Sequence, residues 1–192
     1  MRIVGGEAGG RRIQAPEGRN TRPTSERVRE AIFSMLGGDM TGAVVLDVFA
    51  GSGAMALEAI SRGAERAVLC ECARQSAAVI RRNIDALGYG ARAQLYARDW
   101  RQALGEIRGM RFDTVFIDPP YKRVEEYALV LSELDARGLL GAGAILVLEH
   151  ESKTALSGFG VQFETLKPHK YGDTAITLLR YAGGGAQTGD IE

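Results

Sequence analysis

The stretch AVVLDVFAGSGAMALEAIS, residues 43–61, decides the fold of this chain. Its apolar start predicts a buried strand, its glycines indicate a tight turn, and its remainder predicts a helix. Apolar runs at 66–71, 92–97, 112–117 and 144–149 then alternate with helical segments near 74–87, 101–108 and 124–137. Because these runs lack polar alternation, they indicate strands buried on both faces. The pattern predicts a doubly wound α/β fold with a mostly parallel, Rossmann-like sheet.

Both ends of the chain depart from this alternation. Glycines and prolines divide the first two dozen residues into short extended pieces and turns rather than a core element. A helix over 26–36 follows, with Thr24 or Ser25 as its N-cap, so residues 1–40 are expected to form an N-terminal extension of short strands plus a helix. Near the other end, 161–166 and 174–181 predict an antiparallel pair, which gives a seven-stranded sheet with an antiparallel last strand. Residues 41–181 are expected to form the main domain and 182–192 a disordered tail.

Composition indicates one globular domain. The 192 residues include 24 basic and 24 acidic side chains and 45% hydrophobic residues, which excludes disordered, collagen-like and coiled-coil chains. No apolar stretch approaches the roughly 20 residues of a membrane span, and the Gly-rich start does not resemble a signal peptide. We therefore expect a cytoplasmic protein that has no membrane partner.

Although the net charge of the chain is zero, its N-terminal segment is basic. Residues 1–30 carry seven arginines against four glutamates, and such a segment can contact nucleic-acid phosphates. Alternatively, arginine simply replaces lysine throughout a chain that has only four lysines (Lys122, Lys153, Lys167 and Lys170). Charge alone leaves both interpretations open.

The two cysteines, Cys70 and Cys72, are too few for a disulfide framework or a closed zinc site. We predict two buried thiols and no metal site.

The segment after the first strand has the features of a nucleoside site. Gly51, Ser52 and Gly53 form a turn that lets a ligand approach backbone amides, and Glu71 closes the second strand, where an acid can bind a ribose diol. The spacing Gly51-x-Gly53-x-x-Ala56 also fits a dinucleotide fingerprint, so NAD stays an alternative. Asp47 favours S-adenosylmethionine, because a carboxylate near the turn suits a cationic sulfonium or ammonium group.

Asp99 and Trp100 follow the third strand, where the adenine of such a cofactor would lie. A carboxylate can accept a hydrogen bond from the adenine N6 amine, and an indole can pack against the ring. The structural alternative is that Asp99 caps the next helix and Trp100 belongs to the core.

The tetrad Asp118-Pro119-Pro120-Tyr121 follows the fourth strand and so is expected beside the glycine turn. An exocyclic amine of a base is a poor nucleophile because its lone pair is delocalised into the ring. The Asp118 carboxylate and the Pro119 carbonyl can accept its two N–H groups, while the prolines add no competing donor. Tyr121 offers a ring on which an extruded base can stack. The tetrad therefore predicts amine methylation on a nucleic-acid base.

In this order, GSG, Glu71, Asp99 and DPPY resemble the class I S-adenosylmethionine-dependent methyltransferases that modify exocyclic amines of bases. The segments MRIVGGEAGGRRI (1–13), RPTSERVREAIFSML (22–36), DVFAGSGAMALEAISRGA (47–64) and YGDTAITLL (171–179) are similar to the bacterial 16S rRNA (guanine-966-N2) methyltransferase family. The resemblance covers about residues 1–181.

The resemblance implies a role for each matching position. Cofactor-binding residues would be Asp47, Gly51, Ser52, Gly53, Glu71, Asp99, Trp100 and Thr24, with the glycine turn at the methionine end and Glu71 at the ribose. Asp118, Pro119 and Tyr121 would be catalytic and would position guanine N2. From charge, RNA contacts are expected at Arg2, Arg11, Arg12 and Arg19, and also at Arg22, which with Thr24 matches the RPT element of the family. The context CEC around Glu71 departs from relatives that often have a second polar residue there.

The family implies methyl transfer from S-adenosylmethionine to guanine N2 of 16S ribosomal RNA, with naked rRNA or a small-subunit particle as substrate. Because the sulfonium is a good leaving group, we expect no metal, and we expect a monomer. A DNA adenine-N6 methyltransferase would use the same tetrad, but this short chain leaves little room for a target-recognition domain. An NAD-dependent oxidoreductase would give DPPY no role. A non-catalytic RNA-binding module would not need the acids after strands two, three and four.

Overall fold

The computed structural model describes residues 1–16, 25–120, 123–166 and 168–183. In these residues the chain forms five helices and eight strands, which alternate as predicted up to the fifth strand. Their order is α1 (Glu26–Met35), β1 (Val44–Asp47), α2 (Ala54–Ser61), β2 (Arg66–Cys70), α3 (Arg74–Leu87), β3 (Ala93–Tyr96), α4 (Trp100–Glu106), β4 (Phe112–Ile117), α5 (Glu125–Ala136), β5 (Leu140–Glu151), β6 (Phe163–Thr165), β7 (His169–Tyr171) and β8 (Thr174–Tyr181).

The strands form one mixed sheet in the order β3-β2-β1-β4-β5-β8-β6, with β7 paired to β8 as well. The pairs among β1 to β5 are parallel, and every pair that includes β8 is antiparallel. The strand order reverses between β1 and β4, so the loops after these two strands diverge to opposite faces of the sheet. That divergence leaves a crevice at the carboxyl ends of the strands, the usual ligand position in such folds.

Helices cover both faces of the sheet. The neighbouring residues Val45 and Leu46 of β1 are both fully buried but belong to different hydrophobic clusters. One cluster packs α1, α2 and α3 against the sheet, and the other packs α4 and α5. Burial on both faces explains why the apolar runs lack polar alternation.

Ser25 caps α1 as predicted, because its side chain accepts a hydrogen bond from the Val28 N–H group. The other candidate cap, Thr24, lies outside the described residues.

The first 16 residues form turns and short extended pieces, as predicted, but their apolar side chains are part of the core, which the sequence did not indicate. Ile3, Ala8 and Ile13 are buried in the same cluster as α1, α2 and α3. A bridge between Arg2 and Arg12 closes the segment into a compact loop. At Gly6, which has φ of 76°, a Cβ atom would lie 1.8 Å from the Ser61 carbonyl oxygen, so only glycine allows this close approach.

A buried carboxylate fastens this loop to two helices. Both oxygens of Glu58, on α2, accept hydrogen bonds from the loop, at 2.7 Å from Val4 N and 2.7 Å from Gly5 N. The same carboxylate forms ion pairs with Arg29 of α1, which is fully buried, and with Arg62. Four donors therefore compensate one buried charge, as such a charge requires.

The structure differs from the prediction in three further places. The sheet has eight strands instead of seven, because β7 pairs with the start of β8. Strand β5 is longer than 144–149 and carries a register irregularity opposite Phe112 and Thr114. Cys70 is buried as predicted, but Cys72 lies beyond the end of β2 and is exposed, so the prediction of a buried thiol is wrong there.

Only residues 182 and 183 of the predicted disordered tail are described; the rest lies outside the described residues. Within the described part of the chain, every helix is too short or too polar to span a bilayer.

Candidate active site

A cavity of about 370 Å³ opens at the carboxyl ends of strands β1 to β5, beside the point where the strand order reverses. Its volume falls within the range of small-molecule sites. The predicted residues that line it are Asp47, Gly51, Ser52, Glu71, Asp99, Trp100, Asp118 and Pro119. The structure thus brings residues from four separate strand ends to one cavity.

The glycine turn connects β1 to α2. Gly51 and Gly53 have φ of 55° and 79°, a region that other residues rarely adopt. A Cβ at Gly51 would have no protein atom within 4 Å, whereas one at Gly53 would lie 3.1 Å from Leu69 Cδ2. Gly51 therefore leaves open space beside its backbone, and Gly53, which lies behind the turn, lets α2 pack closely on β2.

Asp47 is a buried carboxyl group on the cavity wall. Its side chain is 4% exposed, and its Oδ2 atom has no hydrogen-bond partner among the described residues. Burial raises the pKa of Asp47 to about 7; backbone hydrogen bonds from Ala56 and Phe49 oppose the increase and the charge of Glu71 adds to it. A ligand cation would compensate this group, so the site fits the ammonium or sulfonium end of S-adenosylmethionine.

Glu71 binds the glycine turn directly. Its Oε2 atom accepts a hydrogen bond from Gly51 N at 2.9 Å, and its Oε1 atom accepts one from Ala73 N at 2.7 Å. Each carboxylate oxygen still has acceptor capacity for a further donor. Glu71 can therefore hold the turn and accept hydrogen bonds from a ribose diol at the same time.

Asp99 and Trp100 line the cavity but also fulfil the structural alternative. Asp99 caps α4 by accepting a hydrogen bond from Arg101 N at 2.9 Å. Trp100 is 4% exposed, its Nε1 donates to Glu126 Oε2 at 3.0 Å, and its ring packs edge-on against Phe49. The Arg101 guanidinium lies 4.4 Å from the centre of the indole. The indole is thus a fixed part of the cavity wall.

Asp118 faces the cavity at the end of β4. Because Ile117 pairs with Leu148, Asp118 lies beside Glu149 at the ends of two neighbouring parallel strands. The Asp118 side chain is open to the cavity but surrounded by protein on its other sides, and this surrounding protein raises the pKa of its carboxyl group well above the usual range. The negative charges of Glu149 and Asp47 add to the increase.

The remaining part of the tetrad is described only in part. Pro119 is buried, and the Pro120 carbonyl accepts a hydrogen bond from Arg123 N at 3.0 Å. Tyr121 lies outside the described residues, as do Arg19, Arg22 and Thr24. The roles expected for these four residues stay predictions.

The described N-terminal arginines differ in what they contact. Arg2 is exposed and pairs with Glu26 at 3.0 Å. Arg11 donates from its guanidinium to the carbonyls of Ala86 and Leu87 at the C-terminal end of α3, a favourable position for a cation. Arg12 is exposed on the surface of the loop. Arg2 and Arg11, which were predicted to contact phosphates, therefore form contacts within the protein.

Sequence reasoning missed several residues of the cavity wall, notably Glu149, Arg98, Arg123 and Met1. Glu149 had a usable signal, because it closes the fifth apolar run AILVLE as Asp47 and Asp118 follow the runs of β1 and β4. Met1 had none. It reaches the cavity through the fold of the first 16 residues, where Ser52 Oγ lies 3.5 Å from its sulfur atom.

A doubly wound sheet with a glycine turn, an acid after the second strand and a DPP segment after the fourth defines the class of S-adenosylmethionine-dependent methyltransferases. The sequence model of the family described as Conserved hypothetical protein 95 matches residues 1–180. Ribosomal RNA small subunit methyltransferase D of Escherichia coli K12 is 32% identical over 192 residues, which cover 99% of this chain and 94% of the relative. The chain therefore belongs to the Conserved hypothetical protein 95 family and is a methyltransferase related to methyltransferase D.

Solved structures agree with this assignment. The Escherichia coli protein yhhF superposes with a TM-score of 0.85 at 30% identity, over 95% of this chain and 99% of that protein. An RNA methyltransferase from Salinibacter ruber, solved in complex with S-adenosyl-L-homocysteine, has a TM-score of 0.62 over 83% of this chain and 93% of its own. At 16% identity, this second similarity shows the fold alone. A methyltransferase fold matches the predicted fold class, and the oxidoreductase and non-catalytic alternatives gain no support.

Proposed function

We propose that this protein transfers a methyl group from S-adenosylmethionine to the exocyclic N2 of a guanine in 16S ribosomal RNA. The observation that carries the proposal is Asp118, followed by two prolines, on the wall of the cavity that also holds the glycine turn and Glu71. The similarity to a relative named ribosomal RNA small subunit methyltransferase D supports rRNA as the substrate.

The cavity contains groups suited to each part of the cofactor. The buried Asp47 carboxyl would face its cationic end, the open backbone at Gly51 would approach the methionine portion, and Glu71 would accept hydrogen bonds from the ribose hydroxyls. When bound, S-adenosylmethionine supplies a methyl group on a positively charged sulfur, which is a good leaving group.

The protein's own task is to align and activate the amine. The Asp118 carboxylate and the Pro119 carbonyl would accept the two N–H groups of guanine N2 and turn its lone pair toward the methyl group. As the N–C bond forms and the sulfur–methyl bond breaks, the nitrogen that accepts the methyl group must lose a proton. Burial and the negative charge of Glu149 raise the pKa of Asp118, which makes its carboxylate a stronger base and so a better acceptor for that proton.

The proposal also assigns separate roles to the N-terminal residues and to the rest of the chain. Residues 1–40 would contact the RNA, with Arg2 and Arg12 exposed on the N-terminal loop, and residues 41–181 would form the methyltransferase domain. We expect a monomer in the cytoplasm that acts on the small-subunit particle.

The test is a methylation assay with labelled S-adenosylmethionine and, in parallel, rRNA, ribosomal small subunits and DNA, followed by mapping of the methylated nucleotide. Label on guanine N2 of rRNA is the expected result, and label on adenine N6 of DNA would support the alternative enzyme instead. In single-turnover assays Asp118→Ala should lower the rate about a hundredfold or more without changing cofactor affinity. Asp85→Ala, an exposed position on α3, is the matched control.

Tyr121 provides an independent test of base stacking. Tyr121→Ala should weaken capture of the target base, since stacking contributes about 1–3 kcal/mol per base. Tyr121→Phe should be nearly silent, because the ring face and not the hydroxyl is used. Equal losses in both variants would contradict the stacking role.

A further inference from the structure

Asp118 has an acidic neighbour that faces the same cavity. Glu149 ends the apolar part of β5, and the pairing of Ile117 with Leu148 sets the two acids at equivalent positions of adjacent parallel strands. Both line the main cavity and the small groove that continues from it past Pro119 and Tyr127. The Glu149 side chain is half-buried.

The backbone around Glu149 is firmly held. Strand β5 pairs with β4 on one side and with β8 on the other, where Glu149 lies opposite Ile176. The Tyr127 hydroxyl donates a hydrogen bond to the Glu149 carbonyl. The next residue, His150, is buried and its Nε2 lies 2.9 Å from Thr177 Oγ1. The sheet therefore fixes the backbone of Glu149 beside that of Asp118, and the negative charge of Glu149 acts on Asp118.

The amino-bearing bases differ in the atom beside the amine. In guanine the N2 amine is flanked on one side by N1–H, a donor, and on the other by N3, an acceptor. In adenine and cytosine the one ring nitrogen beside the amine, N1 or N3, is an acceptor, so only guanine offers a donor next to its amine. A carboxylate accepts hydrogen bonds and cannot donate when ionised. A second carboxylate beside the amine-binding acid would therefore attract guanine and repel the other two bases.

We infer that Glu149 is a specificity-determining residue that accepts the N1–H of the target guanine while Asp118 and Pro119 hold its N2 amine. This inference rests on the proposed function, which it deepens by naming how the base is selected. It assigns the choice of guanine over adenine to an acid outside the DPPY tetrad.

The experiment compares two RNA substrates that differ at the target base, one with guanine and one with 2-aminopurine, which has the N2 amine but an acceptor at N1. Methylation rates are measured for the wild type, for Glu149→Gln and for Glu164→Gln. Glu164 is an exposed acid on β6 that pairs with Arg180, and the same chemical change there serves as the control.

Wild type and Glu164→Gln should prefer guanine by at least tenfold. In Glu149→Gln the preference should fall by at least tenfold, because the amide can donate to N1 of 2-aminopurine. Equal losses on both substrates in this variant would indicate a merely structural role and overturn the inference. The wild-type preference tests it without any variant, since equal rates on guanine and 2-aminopurine would also refute it. Absence of guanine methylation by the wild type would instead refute the proposed function itself.

Discussion

Cofactor binding should depend on pH through Asp47, and the structure sets the size of the effect. Without a ligand, burial holds the pKa of Asp47 at about 7, so the carboxyl group is largely protonated in mildly acidic solution. A cationic ligand binds the ionised form. At pH 6 only about one molecule in ten is ionised, so cofactor affinity should be about tenfold weaker than its value above pH 7, or about 1.4 kcal/mol.

The affinity should therefore rise with pH through about 7, and binding near pH 6 should release close to one proton. Calorimetry in buffers of different ionisation enthalpy measures both quantities, and the range should stay below about pH 7.7, where the cofactor's own amino group begins to titrate. Asp47→Asn should bind weakly with little pH dependence. Since Asp118 also has a raised pKa, Asp118→Asn is the control, and it should keep the pH dependence of the wild type. A pH dependence that persists in Asp47→Asn would refute the reasoning.

Three other predictions follow from the described contacts. Glu71→Ala should weaken cofactor binding at least tenfold in calorimetry, because charge-assisted hydrogen bonds are worth about 1.5–3 kcal/mol each and the variant also frees Gly51 N; unchanged affinity would remove Glu71 from the site. Arg12→Gln should lower the salt dependence of RNA binding by about one unit of slope and leave cofactor affinity unchanged, whereas an equal slope would mean that Arg12 is an ordinary surface residue. Glu58→Gln should lower the free energy of unfolding in urea by about 3–5 kcal/mol, since it leaves the buried Arg29 guanidinium without its ion pair. Glu133→Gln, which removes an exposed ion pair with Arg137, should lower it by less than about 1 kcal/mol in the same assay.

The parallel part of the fold could be predicted because each strand and helix is a local pattern. Helix α3 begins and ends at the predicted residues 74 and 87, and β4 covers the predicted 112–117. The three residues of β7 carry no such pattern, since they are polar or half-exposed, and they form a strand only because β8 offers an open edge. Pairing of this kind depends on residues far apart in the sequence.

The site divides in the same way. Residues directly after an apolar run, such as Asp47 and Asp118, were found because the carboxyl ends of parallel strands meet in one crevice. The same rule applied to β5 would have found Glu149. The role of Trp100 could not be predicted from the sequence, because adenine contact and core packing require the same aromatic residue type. Its hydrogen bond to Glu126 reveals the structural role.

The N-terminal segment is joined to the cofactor turn through one buried side chain. Asn83 of α3 is 1% exposed; its Nδ2 donates to Ser52 O at 3.0 Å and to Gln14 O at 2.9 Å, and its Oδ1 accepts from Gln14 N at 2.8 Å. These bonds pair both backbone groups of Gln14 and the carbonyl of Ser52 with the buried Asn83 amide, so a shift of either segment would leave a buried polar group of Asn83 unpaired. Met1 and Pro16 line the cavity from the same segment. The proposed boundary at residue 40 therefore separates two sequence patterns, while the cavity wall is built from residues on both sides of it.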